Sequence, residues 1–240
     1  MTENPIRYSV IQTKNPREIL MLRGSGCKWK KCTFCDYHLD ASSDTAANYV
    51  INKREIQKVT GQFGKLEVIN SGSFCELDDQ TMHDIRQTCI DKHIDEIHFE
   101  AHWMYRKKIA DLRNYFSEAG IVVKMKIGVE TFDEDFRENV FHKGMMRATP
   151  EDIAQYCDEV CLLFGITGQT VESMEQDILT GLRHFERVCV NIMVPNTTAV
   201  TPDTEVISLF KKHLYHKYID NNRIDILLEN TDFGVGGSKT

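Results

Sequence analysis

The sequence predicts an α/β fold: a partial (β/α)6 TIM-type barrel with a parallel sheet and an additional C-terminal strand. Two observations lead to this class. Strand-like and helix-like segments alternate along almost the whole chain, and polar residues recur at every second position of several strands. Regular strand–helix alternation is typical of parallel sheets. Six such units and one last strand are fewer than the eight of a closed barrel.

Each element is predicted from a local pattern. The predicted strands are 19–22, 66–70, 96–101, 122–129, 160–164, 188–194 and 223–228, and the predicted helices are about 53–63, 78–92, 105–119, 133–142, 150–157, 170–186 and 202–218. Two helix starts are well marked, because Thr149 and Thr201 each precede a proline at the first helical position.

Composition limits the classes of function. A length of 240 residues with 41% hydrophobic residues suits a single domain, 1–240. The net charge of −7 disfavours binding to a long nucleic acid, which needs a basic surface, so a small molecule is the expected partner. No apolar run is long enough to span a membrane, and residues 1–15 lack the pattern of a signal peptide. With scattered cysteines besides, we expect a cytoplasmic protein without membrane contact.

Polar side chains alternate with apolar ones in four of the predicted strands. Those on the polar faces include Glu96, His98, Glu100, Lys124, Lys126, Glu130, Asn191, Asp225 and Glu229. Because the apolar faces must pack against helices, the polar faces are expected to line an internal ligand cavity. The alternative is that these strands are edges that expose their polar faces to water.

Three cysteines lie close together in the segment 24–37. Cys27, Cys32 and Cys35 have the spacing Cys-x4-Cys-x2-Cys, which is typical of a soft metal or an iron–sulfur cluster. Three ligands leave one iron of a [4Fe–4S] cluster open to a ligand that is not protein. Free thiols, or a Cys3His zinc module completed by His38, are the alternatives. The long strand–helix alternation after the loop disfavours a zinc-folded module.

This loop, with Phe34 just before its last cysteine, resembles that of the radical S-adenosylmethionine (SAM) superfamily. The chain has one more residue in the first gap than the usual Cys-x3-Cys-x2-Cys, and the resemblance runs from about Ile19 to the last strand. It implies a [4Fe–4S] cluster on the three cysteines and SAM as cofactor. A flavodoxin- or ferredoxin-like donor would supply one electron, and a 5′-deoxyadenosyl radical from SAM would abstract hydrogen from the substrate. No side chain is assigned a catalytic role, because the radical comes from SAM.

The resemblance also suggests residues that bind SAM. They are Phe34, Ser71, Gly72, Ser73, Lys126, Glu130 and Ile166. The turn 71–73 matches the position whose carbonyls take the SAM ammonium, although the acidic residue usual there is missing. Glu130 matches the acid that reaches the ribose, and Ile166 lies in a glycine-containing turn expected beside the adenine. An ordinary turn, and a strand-to-helix turn with Thr170 as N-cap, are the alternatives for these two turns.

Two longer motifs, at 23–38 and at 229–234, resemble the queuine lyase group. That resemblance implies cleavage of queuine to 7-aminomethyl-7-deazaguanine, a carbon–nitrogen lyase step in queuosine salvage. The expected substrate-binding residues are His98, Glu100, Asn191, Asp225, Glu229 and Asp232. Carboxylates suit this base, which offers donors on its guanine-like edge and a cationic amine. Another small-molecule substrate, or a role as glycyl-radical activase, remains open.

Overall fold

Strands and helices alternate in the computed structural model, which describes residues 5–238. The strands are β1 (Pro5–Ile6), β2 (Tyr8–Ile11), β3 (Arg17–Leu22), β4 (Lys65–Asn70), β5 (Glu96–Glu100), β6 (Val122–Glu130), β7 (Glu159–Phe164), β8 (Arg187–Ile192), β9 (Ile224–Leu227) and β10 (Gly236–Ser238). The helices are α1 (Thr45–Ile56), α2 (Asp79–Asp91), α3 (Ile109–Ser117), α4 (Glu134–Asn139), α5 (Pro150–Ala154), α6 (Val171–His184), α7 (Thr204–Phe210) and α8 (His216–Tyr218). None of the helices in residues 5–238 has the length and apolar content needed to cross a bilayer.

Strands β2 to β9 form one eight-stranded sheet in chain order. The pairs β3–β4, β4–β5, β6–β7, β7–β8 and β8–β9 are parallel, which confirms the predicted parallel sheet. Three strands were not predicted. Strand β2 pairs antiparallel with β3, and β1 pairs antiparallel with β10 in a separate two-stranded sheet. All three strands are short. Strand β2 reaches β3 without a helix between them, and β1 and β10 are far apart in the sequence, so the βα pattern does not reveal these pairs.

The chain divides into two compact units. The first unit contains the chain up to Lys30, then Tyr37–Met125 and the segment from Phe233 onward. The second contains Lys31–Asp36 and Lys126–Asp232. Strand β6 therefore contributes its first four residues to the first unit and its last five to the second. The single domain inferred from length stays a prediction.

The core of the first unit lies along β3, β4 and β5 and beneath the helices that follow them. Its fully buried side chains include Ile19, Leu20, Leu66, Val68, Ile85, Ile97 and Phe116. Burial of one such side chain contributes about 1.5–3 kcal/mol. Helix α1 packs against α2 and β3, so the first two βα units share this core.

In the second unit, α6 packs closely on β7 and β8. A Cβ at Gly181 would lie 2.7 Å from Val188 Cγ2 and 3.4 Å from Val160 Cγ1, so glycine permits the close approach. Thr170 is the N-cap of α6 and accepts a hydrogen bond from the Ser173 backbone N–H at 3.2 Å. This confirms Thr170 as the start of the helix.

The first helix lies earlier in the chain than expected. A helix was predicted at 53–63, whereas α1 spans Thr45–Ile56. The Glu18 carboxylate accepts the backbone N–H groups of Thr60 at 2.7 Å and Gly61 at 2.6 Å. Gly61 also has a φ of +79°, which is outside the helical region. Long-range hydrogen bonds to a buried carboxylate therefore fix this segment as a turn.

The polar faces of the strands are largely buried. Arg17 and Glu67 form an ion pair of 2.5 Å, with both side chains 2% exposed. Lys126 lies 3.8 Å from Glu159, and both of these side chains are also buried. Strands β5, β6 and β8 lie inside the sheet order, so the edge-strand alternative is wrong for them. Strand β9 is at the end of the order.

Candidate active site

The first part of the cysteine loop is held by Glu76. The Ser25 backbone N–H donates to the Glu76 carbonyl at 2.9 Å, and the Lys28 N–H donates to Glu76 Oε1 at 2.9 Å. Tyr105 Oη donates to the same carboxylate oxygen at 3.0 Å. Burial, and then the Glu76 charge, raise the pKa of the Tyr105 hydroxyl, so it stays protonated as a donor. The backbone next to Cys27 is therefore fixed by one carboxylate, that of Glu76.

The second part of the loop, Lys31–Asp36, is held by residues far away in the sequence. Thr33 Oγ1 donates to the Val140 carbonyl at 2.5 Å. Asn196 Nδ2 donates to the Phe34 carbonyl at 2.7 Å. These bonds fix the backbone around Cys32 and Cys35 within the second unit.

The three cysteines of the loop are donors of the kind that an iron–sulfur cluster takes. Cys27, Cys32 and Cys35 are half-buried and form no disulfide within the described residues. Across residues 5–238, no group of three or more His, Cys, Asp and Glu side chains is placed to hold a single metal ion. In a cluster each thiolate binds a different iron, so its ligands need not converge on one point. Three thiols on a backbone fixed at both ends fit such a cluster.

Cys75 differs from the three loop cysteines. Burial raises the pKa of its thiol to about 11, so the thiol is protonated at neutral pH. It lines a cavity of about 130 Å³ together with Gly24, Ser25, Thr45, Asn48, Glu76, Leu77 and Asp78. A protonated thiol is a poor metal ligand, because metals bind the thiolate.

The turn Ser71–Ser73 lies at the end of β4. Ser71 and Ser73 are 5% and 1% exposed. Asn70 Nδ2 donates to the Ser73 carbonyl at 3.1 Å, and Ser73 Oγ accepts the His102 backbone N–H at 2.9 Å. Ser71 Oγ is buried and has no hydrogen-bond partner within the described chain. An unpaired buried hydroxyl is costly, so it suits a position that a polar ligand completes.

Glu76 is the acidic residue of this turn, and the sequence reasoning missed it. Its carboxylate accepts the Ser73 backbone N–H. A Cβ on Gly72 would lie 1.9 Å from Glu76 Oε2 and 3.1 Å from Cys27 Cα, so only glycine fits between them. The turn itself contains no acid, as the sequence indicates, and Glu76, three residues beyond Ser73, supplies the carboxylate. The spacing Ser-x-x-Glu, which is that of a capping box, was the available signal.

Glu130 ends β6 in a strained conformation. Its φ is +67°, which is uncommon for a residue other than glycine. The register between β6 and β7 shifts between Gly128 and Glu130, and a Cβ on Gly128 would lie 2.4 Å from Glu130 Oε1. Strain of this kind persists only where the surroundings fix it, and it is frequent at functional sites.

Lys143 is the counterion of Glu130, and no pattern in the sequence indicated it. Its ammonium lies 2.9 Å from Glu130 Oε1 and 5.6 Å from the centre of the Phe34 ring. Burial alone would lower the pKa of Lys143, but the charges of Glu130, Cys32 and Cys35 outweigh burial and raise it. A permanent cation therefore lies near two of the expected cluster ligands.

Phe34 and Ile166 lie in one apolar cluster of the second unit. Its members are Phe34, Phe136, Val140, Phe141, Leu163, Ile166, Met193 and Val200. The rings of Phe34 and Phe141 meet edge to face, with centroids 5.1 Å apart. Lys126, also expected to contact SAM, is buried beside Glu159.

The inner polar residues of β5 and β8 have partners in the protein. His98 Nε2 lies 3.0 Å from Glu96 Oε1, and this contact is the largest of those that lower the pKa of Glu96, to about 2. Asn191 Nδ2 donates to the Leu162 carbonyl at 3.4 Å, a long bond. Glu100 is half-buried at the end of β5. His98 is buried, whereas Glu100 and Asn191 are half-buried.

The three acidic residues near the last strand have different surroundings. Asp225 forms an ion pair of 2.9 Å with Arg187. Asp232 Oδ2 accepts the backbone N–H of Leu228 at 2.7 Å and that of Glu229 at 3.0 Å. Glu229 lies beyond the end of β9 and is exposed, so the expectation that it is an inward residue of the strand is wrong.

Comparisons with known proteins identify the class. No protein-family model matches the sequence. The solved structure of a queuine lyase from Clostridium spiroforme, bound to SAM and queuine, is 41% identical, with a TM-score of 0.93 over 98% of this chain and 100% of that chain. An uncharacterised protein of Methanocaldococcus jannaschii is 27% identical over 146 residues, which are 52% of this chain and 38% of that protein.

The fold and the cysteine loop are those of a radical SAM enzyme, and the predicted class, an α/β partial barrel with a mostly parallel sheet, is confirmed. At 41% identity over nearly the full length of both chains, the chain belongs to the queuine lyase family. It is therefore an enzyme of the lyase class.

Proposed function

We propose that this protein cleaves queuine to 7-aminomethyl-7-deazaguanine, using SAM as the source of an abstracting radical. The observation that carries the proposal is the near-complete match to the solved structure of a queuine lyase bound to both SAM and queuine. The acidic, half-buried strand ends are consistent with a small cationic base as substrate. We place the reaction in queuosine salvage and in the cytoplasm.

Cys27, Cys32 and Cys35 would hold a [4Fe–4S] cluster. When bound, the cluster and SAM supply a 5′-deoxyadenosyl radical that abstracts hydrogen from the substrate. The protein binds SAM and the substrate, orients them and excludes competing reactions. Glu76 fixes the backbone next to Cys27, while Thr33 and Asn196 fix the backbone around the other two thiols.

The residues of each unit have separate proposed roles toward SAM. In the first unit, the turn Ser71–Ser73 offers carbonyls and the unpaired Ser71 hydroxyl to the methionine end. In the second unit, Glu130 accepts hydrogen bonds from the ribose hydroxyls through the oxygen that Lys143 does not contact. Phe34 and Ile166 supply apolar contacts to the adenosine. Lys126 contacts SAM only if its contact with Glu159 is broken, so it has the smallest part in SAM binding.

For the substrate, Glu229 is the best-placed of the three acidic residues near the last strand. Asp225 is occupied by Arg187, and Asp232 is occupied by two backbone N–H groups. Among the described residues, none forms a hydrogen bond or ion pair with the Glu229 carboxylate, which can therefore accept donors of the base. We retain His98, Glu100 and Asn191 as further contacts.

The decisive experiment is an anaerobic assay with the reconstituted enzyme. Dithionite, SAM and queuine are supplied, and 5′-deoxyadenosine and 7-aminomethyl-7-deazaguanine are measured by mass spectrometry. We expect both products with queuine and neither with Cys32→Ala. Cys75→Ala is the matched control and should retain activity, because that thiol is not a ligand. Product formation from another deazapurine or nucleoside, but not from queuine, would overturn the proposal.

Glu229→Gln tests the substrate assignment separately. Since the side chain is exposed, we expect the melting temperature and SAM affinity to stay unchanged while queuine binding weakens about tenfold, as for the loss of a charge-assisted hydrogen bond. Asp225→Asn is the comparison variant. It breaks the pair with Arg187 and should lower thermal stability. Unchanged queuine affinity in Glu229→Gln would remove this residue from the site.

A further inference from the structure

Two cysteines outside the cysteine loop lie side by side in the second unit. Cys161 is in β7 and Cys189 is in β8, and the register of these parallel strands places them directly opposite each other. Neighbouring strands of a sheet are about 4.7–4.9 Å apart. That spacing lies within the range of about 4.4–6.8 Å that separates the Cα atoms of disulfide-bonded cysteines. Neither cysteine forms a disulfide within the described residues.

Both thiols are on the face of the sheet that is turned away from α6. A Cβ at Gly181 of α6 would contact the side chains of Val160 and Val188, so these two valines face the helix. Cys161 and Cys189 are the next residues along the same two strands. Because successive side chains of a strand point to opposite faces, the two thiols share the inner face of β7 and β8.

The same inner face carries residues that have proposed roles in the reaction. The Cys189 thiol donates to Asn191 Oδ1 at 3.9 Å, and Asn191 is a proposed substrate contact. On the other side, Cys161 is opposite Gly128 of β6, where a Cβ would meet the carboxylate of Glu130. A chemical change at the two thiols would therefore alter the surroundings of Asn191 directly.

The two thiols differ in exposure. Cys161 is half-buried, whereas Cys189 is only 6% exposed. A small oxidant therefore reaches Cys161 first, and Cys189 is the neighbouring thiol that completes a disulfide. An accessible thiol beside a second, resolving thiol is the arrangement of reversible thiol oxidation.

We propose that Cys161 and Cys189 are a site of reversible oxidation by low-molecular-weight disulfides, and that their disulfide weakens substrate binding. The effect on the substrate rests on the proposed function. In the disulfide, the Cys189 sulfur is bonded to Cys161 and no longer donates to Asn191.

The reaction is a pair of thiol–disulfide exchanges. Cys161 attacks one sulfur of the small disulfide as a thiolate and releases one small thiol. Cys189 then attacks the Cys161 sulfur and releases the second small thiol. The two cysteines lose two electrons and two protons in total, and the small disulfide takes them up as it becomes two thiols.

The first test detects the bond itself. Cluster-loaded enzyme, freed of reductant, is incubated anaerobically with bis(2-hydroxyethyl) disulfide, alkylated, and digested with trypsin and a glutamate-specific protease. Glu159 separates Cys157 from Cys161, so mass spectrometry shows which of the two is linked. We expect a cross-link between the peptides of Cys161 and Cys189 that dithiothreitol removes.

Variants control this first test. Cys161→Ser and Cys189→Ser should form no cross-link, and the matched control Cys157→Ala should form it as the wild type does. Cys161→Ala and Cys189→Ala cover the case in which a buried serine impairs folding.

The second test measures queuine binding by calorimetry before and after oxidation. In the wild type we expect the Kd for queuine to rise about tenfold on oxidation, because Asn191 loses its donor, and to return with dithiothreitol. Both serine variants should bind queuine as the reduced wild type does, with no change after the same treatment. If the reduced wild type binds no queuine, the proposed function fails, whereas the thiol pair is judged by the cross-link alone.

Three results would overturn the inference. One is the absence of the cross-link in the wild type, with or without a small-thiol adduct on Cys161. Another is a cross-link from Cys161 to Cys157 in place of Cys189. The third is a queuine Kd that stays the same in the cross-linked wild type, or that rises equally in both serine variants.

Discussion

Each of the two units contains a buried carboxylate next to a glycine, and the two carboxylates are neutralised differently. Glu76, 4% exposed, lies against Gly72, and Glu130, 7% exposed, lies against Gly128. The Glu76 carboxylate is held by two backbone N–H groups and one tyrosine hydroxyl, all of them uncharged donors. The Glu130 carboxylate is held by the ammonium of Lys143.

The difference shows how each carboxylate can act. Glu76 is held by neutral donors, two of them backbone N–H groups, and so acts on the backbone of the loop. Glu130 and Lys143 cancel each other, so the pair adds polar atoms to the second unit without net charge. A buried ion pair is lost when either of its two side chains is replaced. The contacts between a carboxylate and backbone donors are lost only when the carboxylate itself is replaced.

Breaking the ion pair should have the largest effect. Glu130→Gln and Lys143→Met each leave one buried charge without its main partner, and we expect each to lower the free energy of unfolding by about 3–5 kcal/mol. The double variant should lose less free energy of unfolding than the two single variants lose together. Anaerobic urea unfolding measures all three, and additive losses would show that the two residues are not coupled. A calorimetric titration of Glu130→Gln should also show SAM affinity reduced about tenfold, since the ribose acceptor is lost.

Removal of the other carboxylate should be the next largest change. Glu76→Ala leaves the N–H groups of Lys28 and Ser73 without an acceptor, at a cost of about 2–3 kcal/mol. For a chain of this size that corresponds to a fall of roughly 4–12 °C in the melting temperature. Glu76→Gln keeps one acceptor oxygen and should lose about half as much. A melting temperature within one degree of wild type in Glu76→Ala would contradict the role given to Glu76.

Replacement of Gly72 and of Gly128 should show a further difference between the two units. Gly72→Ala meets both a carboxylate held by three donors and the Cα of Cys27, so we expect a loss of about 2–3 kcal/mol. Gly128→Ala meets only the ends of the Glu130 and Lys143 side chains and should lose about 1–2 kcal/mol. Thermal unfolding ranks the two variants. Iron content after reconstitution should fall in Gly72→Ala more than in Gly128→Ala, and the reverse order would contradict the packing argument.

The smallest effect concerns pH and the second unit alone. Burial raises the pKa of Asp177 to about 6, and its carboxylate accepts the Phe132 N–H at 2.7 Å. The folded protein therefore holds this proton more tightly than the unfolded chain does, so its stabilising effect is complete below the unfolded pKa and is lost as pH rises towards 6. Between pH 5 and pH 7 we expect the free energy of unfolding to fall by about 1 kcal/mol. The fall should be absent in Asp177→Asn, and a persistent slope in that variant would assign the dependence to another group.

Much of the fold follows from local pattern, because β3 to β9 carry continuous or alternating apolar runs. What the pattern misses depends on contacts distant in sequence. Glu18 reaches the backbone of Thr60 and Gly61, which displaces the first helix from the predicted range. Strand β2 forms only because β3 offers it a free edge.

The candidate site shows the same division. The cysteine spacing and the acidic end of β6 at Glu130 are local patterns, and the roles expected for them stay predictions. Lys143 reaches Glu130 only through folding, and no pattern in the sequence around Lys143 predicts this contact. Glu76 had a local signal, the capping-box spacing, but the expectation of an acid directly within the turn obscured it.

The bond from Thr33 to Val140 joins residues 107 positions apart, and this separation also sets an order in time. At a synthesis rate of about 5–20 residues per second, Val140 is added roughly 5–20 s after Thr33. During that interval the newly made chain already carries Cys32 and Cys35 but not the carbonyl that fixes the backbone between them. The second half of the cysteine loop thus acquires its final support only after more than half of the chain has been translated.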